Sequence, residues 1–280
     1  MASPDLVGAL PRILDRMRCP HCSGALSVAG EALVCADCGT AFPVREGIPL
    51  LAVHGTAETW AADTSSYTSA DYQRTYEDLG EASGYNEAYR RERTKRWSTE
   101  REYRILSTLL GTQPKSEVLL DLPSGGGRLS AALSSHTDLL VEADIGFGQL
   151  LYNRGNHSDR EDRVWLTASA FHIPFRDAAM DGVVCCRLCH HLPTPEERER
   201  LVAELLRVAR RFVIMTFFDR HSVKNLLRRA RAPFNKKPPK MTMTVARVGE
   251  LAAAGGAKLE AYPPLSHLFS GHRYALMVKR

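Results

Sequence analysis

The sequence predicts an α/β fold: an open, mostly parallel sheet with helices on both faces, preceded by a small cysteine-rich module. Three observations carry this. Apolar runs and amphipathic stretches alternate from Val118 to Phe218, as in parallel strands joined by crossover helices. The first apolar run, Val118 to Leu120, ends at Asp121 and breaks into Pro123, Ser124, Gly125, Gly126 and Gly127, with a helix-compatible stretch, Arg128 to Leu133, behind it. Two CxxC pairs, Cys19/Cys22 and Cys35/Cys38, lie near the N-terminus.

Composition sets the outer limits. A chain of 280 residues with 44% hydrophobic content accommodates one large domain and one small one. The formal charge of +5 permits an anionic partner without requiring one. No apolar run reaches the length of a membrane span. The first residues lack the basic start and apolar core of a signal peptide. Seven cysteines, four of them in CxxC pairs, then favour metal and free thiols over disulfides, and the expected location is cytoplasmic.

Taken in order, Asp5 to Met17 has the apolar spacing of a short amphipathic helix, with Pro11 as a break. The two CxxC knuckles follow, and four thiolates complete a closed tetrahedral Zn²⁺ site. Residues 1–55 form this helix and ribbon module. Val53 to Ser69 reads as a polar linker. Ala70 to Leu110 is helical, with Tyr72, Tyr76, Tyr85 and Tyr89 expected to pack on the core with their hydroxyls at the surface. The run Arg90, Arg91, Arg93, Lys95 and Arg96 reads as a solvated face.

Residues 111–280 form the main domain. After the glycine turn, Leu139 to Ile145 is a second strand. Its Asp144 follows Asp121 by 23 positions, where an acid can bind the ribose hydroxyls of a nucleoside cofactor. Val164 to Ala168, Asp181 to Leu188 and Phe212 to Phe218 complete five strands. Thr194, Pro195 and Glu197 take the N-cap, N1 and N3 places of a capping box. Residues 219–243 are a basic insertion, eight cations against Asp219 alone. Thr244 to Gly256 reads as a helix, and Lys258 to Pro263 and Tyr274 to Val278 as the last strands. Cys186 to His190 has the CxxCH spacing of a haem site, but its first cysteine falls in a buried strand, so core thiols are expected.

The spacing Asp121-x-Pro123-x-Gly125-x-Gly127 resembles the first motif of the class I S-adenosylmethionine-dependent methyltransferases, with Pro123 where the family has its first glycine. SAFHIPF (Ser169 to Phe175), DGVV (Asp181 to Val184), HHL (His190 to Leu192) and RVAR (Arg207 to Arg210) are similar to that family along its length. The resemblance implies a Rossmann-like seven-stranded sheet and a linker with lid helices over residues 56–110. It implies S-adenosyl-L-methionine held by Asp121, Pro123, Ser124, Gly125, Gly127, Asp144, Ile145, Ser169, Ala170, Phe171 and Arg187, with Ser169 replacing the usual acid. His190 and His191 are the expected catalytic residues. Asp219, His221, Arg228 and Arg229 are the expected substrate contacts. Residues Cys19 to Pro49 resemble the zinc ribbons associated with RNA and protein methyltransferases, which implies a structural zinc. Three functions follow: methylation of a small-molecule or lipid-linked acceptor, with room for an anionic group; an RNA base methyltransferase, disfavoured for want of an aromatic basic strand face; and a non-catalytic partner that activates another methyltransferase.

Overall fold

The computed structural model describes residues 9–52, 75, 77–157, 160–231 and 241–280. The expected linker, Tyr72, Tyr76, Lys236, Lys237, Lys240 and the first residues of the N-terminal helix lie outside them. Ala9 to Met17 is not one helix. It forms two single 3₁₀ turns, Leu10–Arg12 and Leu14–Arg16, because Pro11 supplies no amide for a continuous α-helical ladder.

Four short antiparallel strands make the ribbon in sequential order: β1 (Leu26–Ala29), β2 (Ala32–Cys35), β3 (Ala41–Arg45) and β4 (Ile48–Pro49). Helices α1 (Leu79–Arg91) and α2 (Arg93–Gly111) follow. The main sheet then alternates as β5 (Ser116–Asp121), α3 (Ser130–Ser134), β6 (Thr137–Asp144), α4 (Phe147–Asn156), β7 (Arg163–Thr167) and β8 (Met180–Cys185). It continues with α5 (Pro195–Val208), β9 (Ala209–Phe218), α6 (Val223–Arg231), α7 (Val245–Ala254), β10 (Ala257–Ala261) and β11 (His272–Lys279). The order across the sheet is β10-β11-β9-β8-β5-β6-β7. Five strands run parallel, and β10 and β11 close the edge antiparallel. The central strands are mainly apolar and buried, as cover on both faces requires, whereas the edge strand β10 (AKLEA) alternates buried or half-buried with exposed positions. Helix α5 starts at the expected capping box. At Gly182 an added Cβ would lie 2.2 Å from the Phe212 ring, so only glycine lets β8 approach β9 there.

One face of the sheet packs against α2 and α3 through Leu106, Leu110, Leu129 and Leu133. The other packs against α5 and α7 through Leu201, Leu205, Val248 and Ala252. The expected alternation fails once. Residues 168–179, which join β7 to β8, contain no helix. The ribbon covers this side instead. Met17 bridges Phe175 and Leu50 bridges Thr167 on the edge strand β7. Arg18 N donates to Pro174 O at 3.1 Å, and Arg176 N to Arg16 O at 2.9 Å. Ile13, Met17, Leu33, Phe42 and Leu51 share one apolar cluster with Leu166, Ile173 and Phe175. Ribbon and sheet therefore bury a common core.

Candidate cofactor and acceptor site

The glycine turn follows the carboxyl end of β5, at the crevice where open α/β sheets hold ligands. Leu122-Pro123 is cis, and Gly125 and Gly127 have φ of +53° and +76°, a region open to glycine. At Gly127 a Cβ would also meet Asn153 Oδ1 at 2.3 Å. Asp144, at the end of β6, accepts from Gly125 N and Gly146 N, both at 2.9 Å. It locks the turn against the second strand. Burial pushes its carboxyl up to about 6, against the lowering effect of these amide bonds.

Asp121 lies at the floor. It is fully buried, and both carboxylate oxygens lack a hydrogen-bond partner among the described residues. Burial, and then the Glu142 carboxylate, raise its pKa well above the ordinary range. Ser124 Oγ, Gln149 Nε2 and Asn153 Nδ2 are likewise buried without partners. Buried polar groups are normally satisfied, so four such groups around one turn fit a polar ligand. An orphaned carboxylate fits a cationic one.

Helix α1 crosses the turn. Asn86 donates to Gln149 Oε1 at 2.8 Å, and a Cβ at Gly126 would lie 2.3 Å from the Asn86 side chain. Tyr89 does not simply pack on the core. Its hydroxyl accepts from Arg187 Nη1 at 3.0 Å, and Lys95, Arg128 and Arg187 each lie 5.2–5.6 Å from its ring centre. Arg187, at φ +64°, is tied to Glu102, which also holds Arg128. Its guanidinium is thus engaged by α1 and α2. Of the other expected cofactor contacts, Ile145 is half-buried, Ala170 is buried, and Ser169 Oγ accepts from Phe171 N at 3.3 Å.

A ring cluster stands on the same sheet edge, after β8 and β9. His190 packs 4.2 Å from His191, 4.3 Å from Phe218 and 5.0 Å from His272, centre to centre. His272 stacks on Phe218 at 4.4 Å. Burial, helped by Arg187, lowers the His272 pKa to about 3, so this imidazole stays neutral. The Arg228 guanidinium sits 5.7 Å from the Phe218 ring. His221 and Arg229 are exposed. Asp219, an expected substrate contact, is engaged within the fold. It is buried, accepts two bonds from Arg273 at 3.0 and 2.8 Å, and takes one from His221 N at 3.0 Å. Sequence reasoning missed His272 because β11 begins two residues earlier than its apolar pattern suggests.

In the ribbon, the Sγ atoms of Cys19, Cys22, Cys35 and Cys38 all lie within 4.8 Å of one another. Cys19–Cys38 and Cys22–Cys35 are 3.8 and 3.4 Å apart, close to the edge of about 3.8 Å of a tetrahedron with zinc–sulfur bonds of about 2.3 Å. His21 instead packs edge-on to Phe42 at 5.7 Å. Cys185, Cys186 and Cys189 are buried, and burial raises each thiol.

Two family models match: a methyltransferase domain over residues 120–215 and a Trm112p-like protein over residues 11–47. The ribbon is similar to the UPF0434 protein of Stutzerimonas stutzeri (strain A1501), 45% identical over 42 residues, 14% of this chain and 69% of that protein. The fold is similar to magnesium protoporphyrin IX methyltransferase from Synechocystis PCC 6803 with bound SAH, at TM-score 0.63 and 15% identity, over 75% of this chain and 99% of that one. It is also similar to a chain from the complex of the Haloferax volcanii Trm112 methyltransferase activator with a methyltransferase, at TM-score 0.52 and 12% identity, over 71% and 93% of the two chains.

Proposed function

We propose that this chain, a member of the class I S-adenosylmethionine-dependent methyltransferase family whose N-terminal ribbon belongs with the Trm112p-like UPF0434 proteins, methylates a small-molecule or lipid-linked acceptor at the carboxyl edge of its sheet. The observation that carries this reading is the orphaned Asp121 beneath a glycine turn clamped by Asp144. Asp121, Ser124 and the turn would hold the amino-acid end of S-adenosylmethionine. Asp144 would take its ribose hydroxyls, since each carboxylate oxygen keeps a second lone pair. Ile145, Ala170 and Phe171 would flank its base. When bound, the cofactor supplies an activated methyl group on a sulfonium.

In such a displacement the protein chiefly aligns the acceptor and excludes water. The Phe218–His272 stack, with His190 tilted against it, would supply an aromatic wall for that alignment. His190 would take the proton of a hydroxyl acceptor, with His191 beside it. Arg228 and Arg229 would engage an anionic group on the acceptor. The ribbon would hold one zinc through its four cysteines. Four thiolates leave no open position, so zinc stabilises structure and takes no part in transfer. The ribbon already lies against β7 of its own chain, which favours a self-contained enzyme over an activating partner.

Titration calorimetry tests the reading. S-adenosylmethionine and its demethylated product should both bind, and NAD should not; the reverse pattern would sink the proposal. Asp144→Ala should cost roughly 2–4 kcal/mol of that binding, the loss of charge-assisted hydrogen bonds at a buried site. The pH dependence has a definite sign. Ribose hydroxyls and a ligand cation both favour the ionised carboxylates, so binding lowers the pKa of Asp144 from about 6 and that of Asp121 from its raised value. Protons are then released on binding, and affinity falls as pH drops below about 6. Measured at pH 5.5 in two buffers of different ionisation enthalpy, a binding heat that does not change with buffer would contradict this.

A further inference from the structure

We propose that α6 and the loop 265–270 form a docking surface for an anionic lipid bilayer, which seats the mouth of the cleft on the membrane. An amphipathic helix of a folded domain normally turns its apolar stripe inward. Helix α6 does the reverse. It buries Asn225, whose side chain donates to Asp219 O at 2.8 Å. Val223, Leu226 and Leu227, which share one face by their spacing, are 43%, 45% and 49% exposed. The neighbouring loop adds Leu268 and Phe269 at 61% and 72%. The two segments are joined: Lys224 Nζ donates to Phe269 O at 2.7 Å, and a Cβ at Gly271 would touch Asn225. Five aliphatic or aromatic side chains are therefore exposed on two joined segments.

Their flanks are cationic. Residues 220–231 contain Arg220, Lys224, Arg228, Arg229 and Arg231 and no acid. Apolar tips beside basic side chains match the boundary between acyl chains and anionic headgroups, where such a helix lies in the plane of the surface. RNA binding would use the cations and leave the aliphatic tips without a role. Among the described residues no helix is long and apolar enough to cross a membrane, so contact would be peripheral. The position carries the functional meaning. Helix α6 follows β9 on the edge that bears the glycine turn, and its Arg228 overhangs the Phe218–His190 wall. An acceptor held in the bilayer would then enter without crossing water. The inference rests on the methyl-transfer reading for treating this edge as the mouth.

The test is flotation of the full-length protein with vesicles of phosphatidylcholine alone or mixed with phosphatidylglycerol. Binding should require the anionic lipid and weaken with salt. Leu226→Asp with Leu227→Asp should lower the partition coefficient at least about tenfold and leave S-adenosylmethionine affinity and melting temperature unchanged. Leu268→Ser with Phe269→Ser provides a second variant, should the helix change disturb folding. Absence of vesicle binding in a protein that still binds the cofactor overturns this inference alone. So does equal binding by either double variant, or a loss in those variants of binding to single-stranded RNA or of self-association in place of vesicle binding.

Discussion

Cys35→Ser should cost the protein its zinc and a large part of its whole-chain stability, not the ribbon alone. Protein purified without added metal should carry one zinc per chain by elemental analysis, and the variant none. Structural zinc contributes on the order of 10–16 kcal/mol to the folding of isolated ribbons and fingers. Here the module is continuous with the main core. Ile13, Met17 and Leu51 are fully buried in the cluster that holds Leu166 and Phe175, and burial of such side chains is worth about 1.5–3 kcal/mol each. Loss of zinc should therefore lower the melting temperature of the helical signal of the main domain, as should a strong chelator on the parent. A variant that lacks zinc but melts like the parent would show that the two halves are energetically separate.

Glu102→Ala should destabilise the fold by about 3–5 kcal/mol, the cost of removing one partner from a buried charge cluster. Glu102 is 1% exposed. Burial raises its carboxyl, but Arg128 and Arg187 outweigh that and hold it below the ordinary value of 4.5. One carboxylate serves two guanidinium groups, so its removal strands both cations under α1 and α2. The sign with pH follows. A depressed carboxyl pKa contributes stability above the unfolded value, lost as pH falls below about 4.5 through the folded one. Denaturant melts of parent and variant should thus differ at pH 7 and converge in acid. A gap unchanged down to pH 3 would show that Glu102 acts by packing and not by charge.

The local chemistry of this chain was open to reading. A glycine turn, a capping box and two CxxC knuckles each act over a few residues, and the structure places each where the spacing puts it. What escaped reading depends on distant partners. Asp219 has the look of an accessible acid after a strand, but Arg273 lies 54 positions away and engages it. Glu102 sits in a charged helix like any solvated acid until Arg187 is brought 85 positions back to meet it. Helix α6 shows an ordinary amphipathic pattern, and periodicity does not say which face turns outward. His272 could not be read in this way, because its place beside Phe218 depends on the register of an antiparallel strand.

The crossover without a helix, residues 168–179, also bears on how this chain reaches its native state as it is made. Arg16 donates to Ala179 O, 163 positions further along the chain. The ribbon leaves the ribosome before the sheet and, with its own cysteines complete by residue 38, can bind metal long before β7 and β8 exist. Its apolar docking side must then wait, exposed, for most of the synthesis of the sheet it will cover. Contacts this remote in sequence form slowly, and exposed apolar surface invites aggregation in the interval. Early zinc loading gives the nascent ribbon a defined shape during that wait, so metal supply at the ribosome is expected to set the yield of folded protein.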